Sequence, residues 1–276
     1  MKIINIGKID PSIKGVLEKL VTIKGLDFYV IGGLLCQYYL KDHARYTKDV
    51  DIIFNDEQEV VERELKKAFG DIHLFYAEDT ENFYGGTFTC FTRVNELLGQ
   101  IEGKKIKFLK DVKGKQYSYE GINFRGVDIE YCIAEKVVTL LNELCRPYKH
   151  LVDLYSFTQI DQSLIDKKEI KRYMLLINAH ENVYRKAHNL KEYELPKEIK
   201  EDKELKPPIV VPTLQSKYNV SREVMISSVN EWLKTIIWKY NKNIKFIDLL
   251  MKGRTKYERR IIKRFEQTTT WKSKQM

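Results

Sequence analysis

Asp49 and Asp51 are one residue apart in a run that also holds Val50, Ile52, Ile53 and Phe54. That run is apolar enough to be a strand buried in a sheet. Residues two apart in a strand share a face, so the two carboxylates converge. Oxygen donors in that arrangement suit a hard divalent cation, Mg²⁺ or Mn²⁺, that also holds phosphates. Upstream, Gly32-Gly33 follows a strand-like segment at 27–31, and between Gly33 and Asp49 there is room for one helix and a short return loop. A turn without Cβ atoms that opens a helix lets backbone N–H groups approach an anion at the positive end of the helix dipole. Taken singly, a diglycine is a turn and Asp-x-Asp a solvated strand end. Strand, turn, helix and acid-bearing strand in that order bring a cation site and an anion site to one sheet edge.

The elements that would position them can be read from periodicity. A first helix is expected over 11–24, then an amphipathic helix over 57–69 closed by Gly70 and a third strand over 72–76. Residues 77–86 read as a polar loop, and strands over 87–94 and 105–112 complete a small sheet. From Asp128 the pattern is helical to about residue 190. Around Lys136, helical spacing puts Ile133, Val137, Leu140, Leu141 and Leu144 on one apolar side. The Lys136 side chain, beside that stripe, either reaches the sheet edge or points to water. Residues 191–212 carry Pro196, Pro207, Pro208 and Pro212 and read as a linker or extended strap. Ser221 is placed to cap a helix running to about residue 240, and a short helix and a basic helix are expected beyond it.

Four ordered blocks carry a family resemblance. Gly32-Gly33 with Arg45-x-Thr47-x-Asp49-x-Asp51, the segment 92–108, the segment 128–136 ending in Lys136, and Arg146-Pro-Tyr-Lys149-His-Leu-Val-Asp153-Leu-Tyr155 together resemble the AbiEii/AbiGii (MenT-like) nucleotidyltransferase toxins of the polymerase-beta-like superfamily. The resemblance implies an α+β fold, a small mixed β-sheet nucleotidyltransferase core flanked by helices and followed by a mainly helical C-terminal region. The corresponding divisions are 1–127 for the core, 128–190 for a helical segment completing the active site, and 191–276 for a linker with a helical basic C-terminal region. It implies metal-dependent transfer of NMP from an NTP to an RNA acceptor, tRNA among the candidates, by the toxin of a toxin–antitoxin or abortive-infection system with a cognate antitoxin.

Site roles carried over on the matching positions are Asp49 and Asp51 as catalytic metal ligands, Asp153 as a catalytic residue, Gly32, Gly33, Arg45 and Thr47 as nucleotide-binding residues with the glycines on the phosphates, and Lys136 near the phosphates as a catalytic and nucleotide-binding residue. Arg45 and Thr47 brace the start of the strand, with Thr47 donating to a phosphate. Asp153 pairs with Arg146 or Lys149, or positions Lys136 or a nucleotide. Two positions depart from the family pattern. His150 stands where an acid usually follows the lysine of the last block, and Leu109 stands where a third carboxylate is expected on the central strand. Asp111, one pleat further along, is taken as the third metal ligand, and Glu102 is set behind it because Gly103 reads as a hairpin tip. Two other readings compete: a nucleic-acid-binding protein whose catalytic strand has decayed, and a transferase acting on a protein or small-molecule acceptor.

Composition is compatible with this chemistry. The chain has 276 residues, 43% of them hydrophobic, which permits a sizeable core. It has no run of eighteen apolar residues and no apolar signal core at its start, so a cytoplasmic location and no membrane partner are expected. Cys36, Cys90, Cys132 and Cys145 form no C-x-x-C pair and read as small buried hydrophobes. Of the net charge of +9, nearly all sits in residues 252–276, where nine bases face two acids. With Tyr257, Phe265 and Trp271 interleaved, that stretch suits a polyphosphate such as RNA, while a solvated helix face or tail accounts for it equally well.

Overall fold

The computed structural model describes residues 4–5, 11–41, 44, 47, 49–70, 72–76, 87–92, 100–141, 148–187 and 220–237. Arg45, Arg146, the 77–86 loop, the 191–212 strap, the two helices expected after residue 240 and the basic stretch 252–276 lie outside them, as do the side chains of Cys90, Glu102 and Cys145.

Strands β1 (Ile4–Asn5), β2 (Phe28–Ile31), β3 (Asp49–Phe54), β4 (Ile72–Tyr76), β5 (Thr87–Thr92), β6 (Gln100–Lys105), β7 (Gly114–Tyr119) and β8 (Ile122–Val127) form one sheet in the order β1-β7-β8-β2-β3-β6-β5-β4. Helices α1 (Pro11–Leu20), α2 (Gly32–Leu40), α3 (Gln58–Phe69), α4 (Ile129–Leu141), α5 (Tyr148–Thr158), α6 (Lys167–Ala187) and α7 (Arg222–Ile237) pack on it and on one another. The fold is α+β with a mixed sheet: β3 runs antiparallel to β2 and parallel to β6.

Alternation along β3 explains its place. Val50, Ile52 and Phe54 are buried on one face, where α1 packs with α3 and against β3, while Asp49, Asp51 and Ile53 lie on the other, where α2 and α4 pack together. All thirteen residues of α4 are buried, so it is a core helix covered on every side and has no solvent face. The fully buried Leu151, Leu154, Ile177 and Val229 carry the same core through α5, α6 and α7. At neutral pH His180 on α6 accepts a hydrogen bond from the Lys107 backbone N–H at 3.2 Å through Nε2, and burial pushes its pKa down to about 4. This contact ties the crossing segment after β6 to the helices.

Two expectations about the sheet are corrected. The strand expected over 105–112 instead spans Gln100–Lys105. Gly103 sits mid-strand in β6, paired with Ile52 on one side and Phe88 on the other, and no hairpin turns there. The β7–β8 hairpin, absent from the sequence reading, closes through Glu120 and Gly121 at φ of 44° and 86°, the left-handed pair that a two-residue hairpin turn requires. The first helix stops at Leu20, short of residue 24. The cap at Ser221 is present, its Oγ accepting from the Val224 N–H at 3.4 Å.

Candidate active site

The site grows from the end of β2. Ile31 pairs with Asp51 across the β2–β3 ladder, and the next residue, Gly32, turns the chain into α2 with φ +76°. A side chain is excluded there: a Cβ built on Gly32 would lie 1.8 Å from Asp51 Oδ2. The carboxylate of the acid strand and the glycine turn therefore touch. Ile31, at the position preceding the helix, makes no side-chain cap, so the first turn of α2 opens without an internal carboxylate or hydroxyl from that residue. Asp49, half-buried like Asp51, accepts a short hydrogen bond from the Thr47 hydroxyl. Thr47 is itself buried, and its proton goes to Asp49, which fits bracing and leaves none for a phosphate in this state.

Asp111, expected as a third metal ligand on a strand, does not lie on one. β6 ends at Lys105, and Asp111 lies on a 3₁₀ turn, Leu109–Asp111, leading into β7. In the sheet β7 is separated from β3 by β8 and β2, and the Asp111 backbone carbonyl accepts from Arg172 at 2.9 Å. The premise that put Asp111 beside Asp51, a strand continuing to it, does not hold, and the premise that Leu109 occupies a strand position fails with it. The β3–β6 register brings Glu102 opposite Asp51 instead, and Gln100 opposite Asp49. Register partners in a parallel pair share a face. Polar Gln100, Glu102 and Lys104 alternating with Ile101 and Gly103 were the available signal, and treating Gly103 as a turn concealed it.

Lys136 and Asp153 do come together, in a form that spacing left open. Lys136 Nζ lies 2.8 Å from Asp153 Oδ2, with both side chains 1% exposed. This pair agrees with the alternative in which Asp153 positions Lys136, while Arg146 lies outside the described residues; Lys136 joins α4 to α5 and is not at the protein surface. On the preceding residue, Glu135 pairs with Lys104 of β6. Burial would raise the Glu135 carboxyl, but Lys104 and Lys136 outweigh it and hold the group below the usual carboxylate range.

A residue the sequence reading passed over anchors α4. Asp128, buried at the end of β8, accepts from the Tyr131 N–H at 3.0 Å, as an N-cap does, and from the Tyr173 hydroxyl at 3.1 Å. Burial lifts its pKa to about 6 against the pull of these donors. An Asp at a strand-to-helix junction, three residues before the N–H it caps, is a capping signal, but only the fold buries it. Nearby, Tyr117 donates to the Val127 carbonyl at 2.6 Å and so receives the Tyr39 hydroxyl proton, tying α2 to β7 and β8. A separate open groove of about 630 Å³ lies at the opposite end of β2, lined by Asp27, Phe28, Asp56 and Arg125 among others. It is remote from the acids, since β2 runs from that groove toward Gly32.

A strand, glycine turn and helix, followed by an acid-bearing strand in the middle of a mixed sheet, define a nucleotide-transfer type of core. The family model described as nucleotidyl transferase AbiEii toxin, type IV toxin–antitoxin system, matches residues 18–232. The chain belongs to that family and is a nucleotidyltransferase. Among solved structures, a proposed nucleotidyltransferase from H. pylori is similar at 14% identity and a TM-score of 0.42, covering 82% of this chain and 92% of that one. JHP933 from Helicobacter pylori has 14% identity and a TM-score of 0.40, covering 86% and 94%. An antigenic nucleotidyltransferase-like protein from Paracoccidioides brasiliensis has 14% identity and a TM-score of 0.39, covering 63% and 86%. No curated protein sequence matches the chain. No helix among the described residues is long and apolar enough to cross a membrane.

Proposed function

We propose that the protein transfers NMP from an NTP to an RNA acceptor in a reaction that depends on Mg²⁺ or Mn²⁺, as the toxin partner of an antitoxin. The observation that carries this reading is that Asp51 Oδ2 fills the place a Cβ on Gly32 would take, 1.8 Å from it. It supports a cation site and a phosphate-binding turn that share one edge.

The donors fit a hard cation. Among the described residues no three Asp, Glu, His or Cys side chains converge, so Asp49 and Asp51 are the described donors. Two carboxylates are what Mg²⁺ uses when waters and substrate phosphates complete its shell. When bound there, the ion would neutralise charge on the phosphates and favour ionisation of an attacking hydroxyl. The remaining work belongs to the chain. The first N–H groups of α2, beginning at Gly32 and Gly33, would hold the triphosphate against the helix dipole. Thr47 would fix the rotamer of Asp49, and the Lys136–Asp153 pair would keep α4 and α5 in place behind the site. Burial supports that positioning role for Lys136 over direct phosphate contact.

RNA as acceptor draws on charge alone: the bases of residues 252–276 suit a polyphosphate. Incubation with each labelled NTP, Mg²⁺ and total RNA tests the proposal. Label is expected on RNA with the wild type and on nothing with Asp49→Ala/Asp51→Ala. Label on protein or a small molecule would replace the acceptor, and no label with any NTP would overturn the reading. The decayed-site alternative predicts RNA binding with no label from any NTP.

A further inference from the structure

Charge is sorted by depth where the chain passes from β6 to β7. Residues 106–113 run along α6: the Lys107 and Lys113 backbone N–H groups donate to His180 Nε2 at 3.2 Å and to the Tyr173 hydroxyl at 2.9 Å, and the Asp111 carbonyl accepts from Arg172 at 2.9 Å. Ile106, Phe108, Leu109 and Val112 are buried, while Lys110, Lys113 and, at the start of β7, Lys115 are exposed. Apolar anchors inside and lysines outside make this segment a fixed basic ridge. Lys168, also exposed, precedes Arg172 by four residues on α6 and so shares its helix face, which extends the ridge onto the helix. The acids beside it are turned inward or occupied. Glu169, 14% exposed, holds Arg172 and also takes the Lys113 ammonium at 3.3 Å, with Lys113 itself 66% exposed. Asp111 is half-buried, and Asp166 caps α6, accepting from the Lys168 and Glu169 N–H groups at 2.9 and 3.3 Å. The charge presented to water on this surface is therefore mainly positive.

We infer that the ridge of Lys110, Lys113, Lys115 and Lys168 binds the sugar–phosphate backbone of the RNA acceptor, away from the reacting end. This rests on the reading of RNA as the acceptor and adds a binding surface separate from the basic stretch 252–276. The Ile106 N–H donates to the Phe54 carbonyl at 2.7 Å, so the segment leaves the sheet at the Phe54 end of β3, opposite to Asp49. Lysines there meet the body of the acceptor and not the NTP. As point charges they neutralise phosphates without reading bases, so the ridge supplies affinity and orientation. An anionic membrane is the poorer match, because the apolar residues of the segment, Ile106, Phe108, Leu109 and Val112, face the core and are not available to enter a bilayer.

The test is the salt dependence of RNA binding to the full chain, followed by fluorescence anisotropy of a labelled single-stranded RNA of mixed sequence, so that it does not depend on turnover. Each phosphate contact contributes about 0.7 to the slope of log Kd against log salt. Lys110→Gln/Lys113→Gln/Lys168→Gln is expected to bind more weakly and to lower that slope by about 2. Lys110→Gln alone, with a drop of about 0.7, carries the test if the triple variant does not fold. Lys24→Gln/Lys66→Gln/Lys67→Gln removes the same charge from exposed positions on and beside α3 and is expected to keep the wild-type slope, as is Asp49→Ala/Asp51→Ala. Three results would overturn the inference: a wild-type slope in the ridge variants, an equal drop in the α3 variant, which is what net charge alone predicts, or unchanged RNA binding together with lost sedimentation on phosphatidylserine vesicles. If wild type binds no RNA, the reading of RNA as acceptor falls and the inference with it; that outcome is separate from the other three.

Discussion

Replacing Gly32 by alanine tests the geometry on which the site depends. Two costs combine. A residue with a Cβ held at the φ of +76° found there loses about 1–2 kcal/mol. The new methyl would also stand 1.8 Å from Asp51 Oδ2 and 2.7 Å from its Cγ, so the carboxylate must leave its rotamer or β2 and β3 must separate. Overpacking of that kind costs about 1–3 kcal/mol. Gly32→Ala should therefore destabilise by about 2–5 kcal/mol in urea unfolding, with transfer activity lost. In an Asp51→Ala background the two nearest of these atoms are gone and the Cβ of residue 51 stands at 3.0 Å, so the cost of the same substitution should fall to about 1–2 kcal/mol. The coupling of about 1–3 kcal/mol measured by the double-mutant cycle is the signature of contact between turn and acid. Equal destabilisation in both backgrounds, or a Gly32→Ala protein with wild-type transfer rates, would refute the reasoning.

Lys136→Met should cost about 3–5 kcal/mol in urea unfolding, because it leaves the Asp153 carboxylate buried without its counter-ion, and Lys136→Met/Asp153→Leu should recover most of that loss; a double variant no more stable than the single one would contradict the pairing. Asp128 predicts a pH dependence. Its folded pKa of about 6 lies above the unfolded value, so its contribution to stability is full below about pH 4 and is lost as pH rises through 6. Asp128→Asn keeps an N-capping oxygen and removes this titration. Its stability relative to wild type should therefore improve from pH 4 to pH 8 by about 1–3 kcal/mol, and a difference independent of pH in urea melts would show that burial does not raise this carboxyl.

Local chemistry was enough to locate the pieces of the site. Gly32-Gly33 after an apolar strand and Asp49-x-Asp51 within the next one are short-range patterns, and their strand, turn and helix assignments follow from steric rules and period-two alternation that act over a few residues. The N-cap at Ser221, the strand at Ile72–Tyr76 and the family blocks were legible for the same reason. What neighbours in space decide was not legible. Gly103 looks like a turn by itself, and only pairing with Ile52 and Phe88 makes it mid-strand, shifting β6 so that Glu102, and not Asp111, comes opposite Asp51. Lys136 resembles a helix-surface lysine until α5 and α6 cover α4, at which point burial forces it to find a carboxylate and Asp153 supplies one. Spacing along the chain can place an acid or a base on a face of its own element. Which opposite charge it meets, and whether water reaches the pair, depends on how separate elements pack.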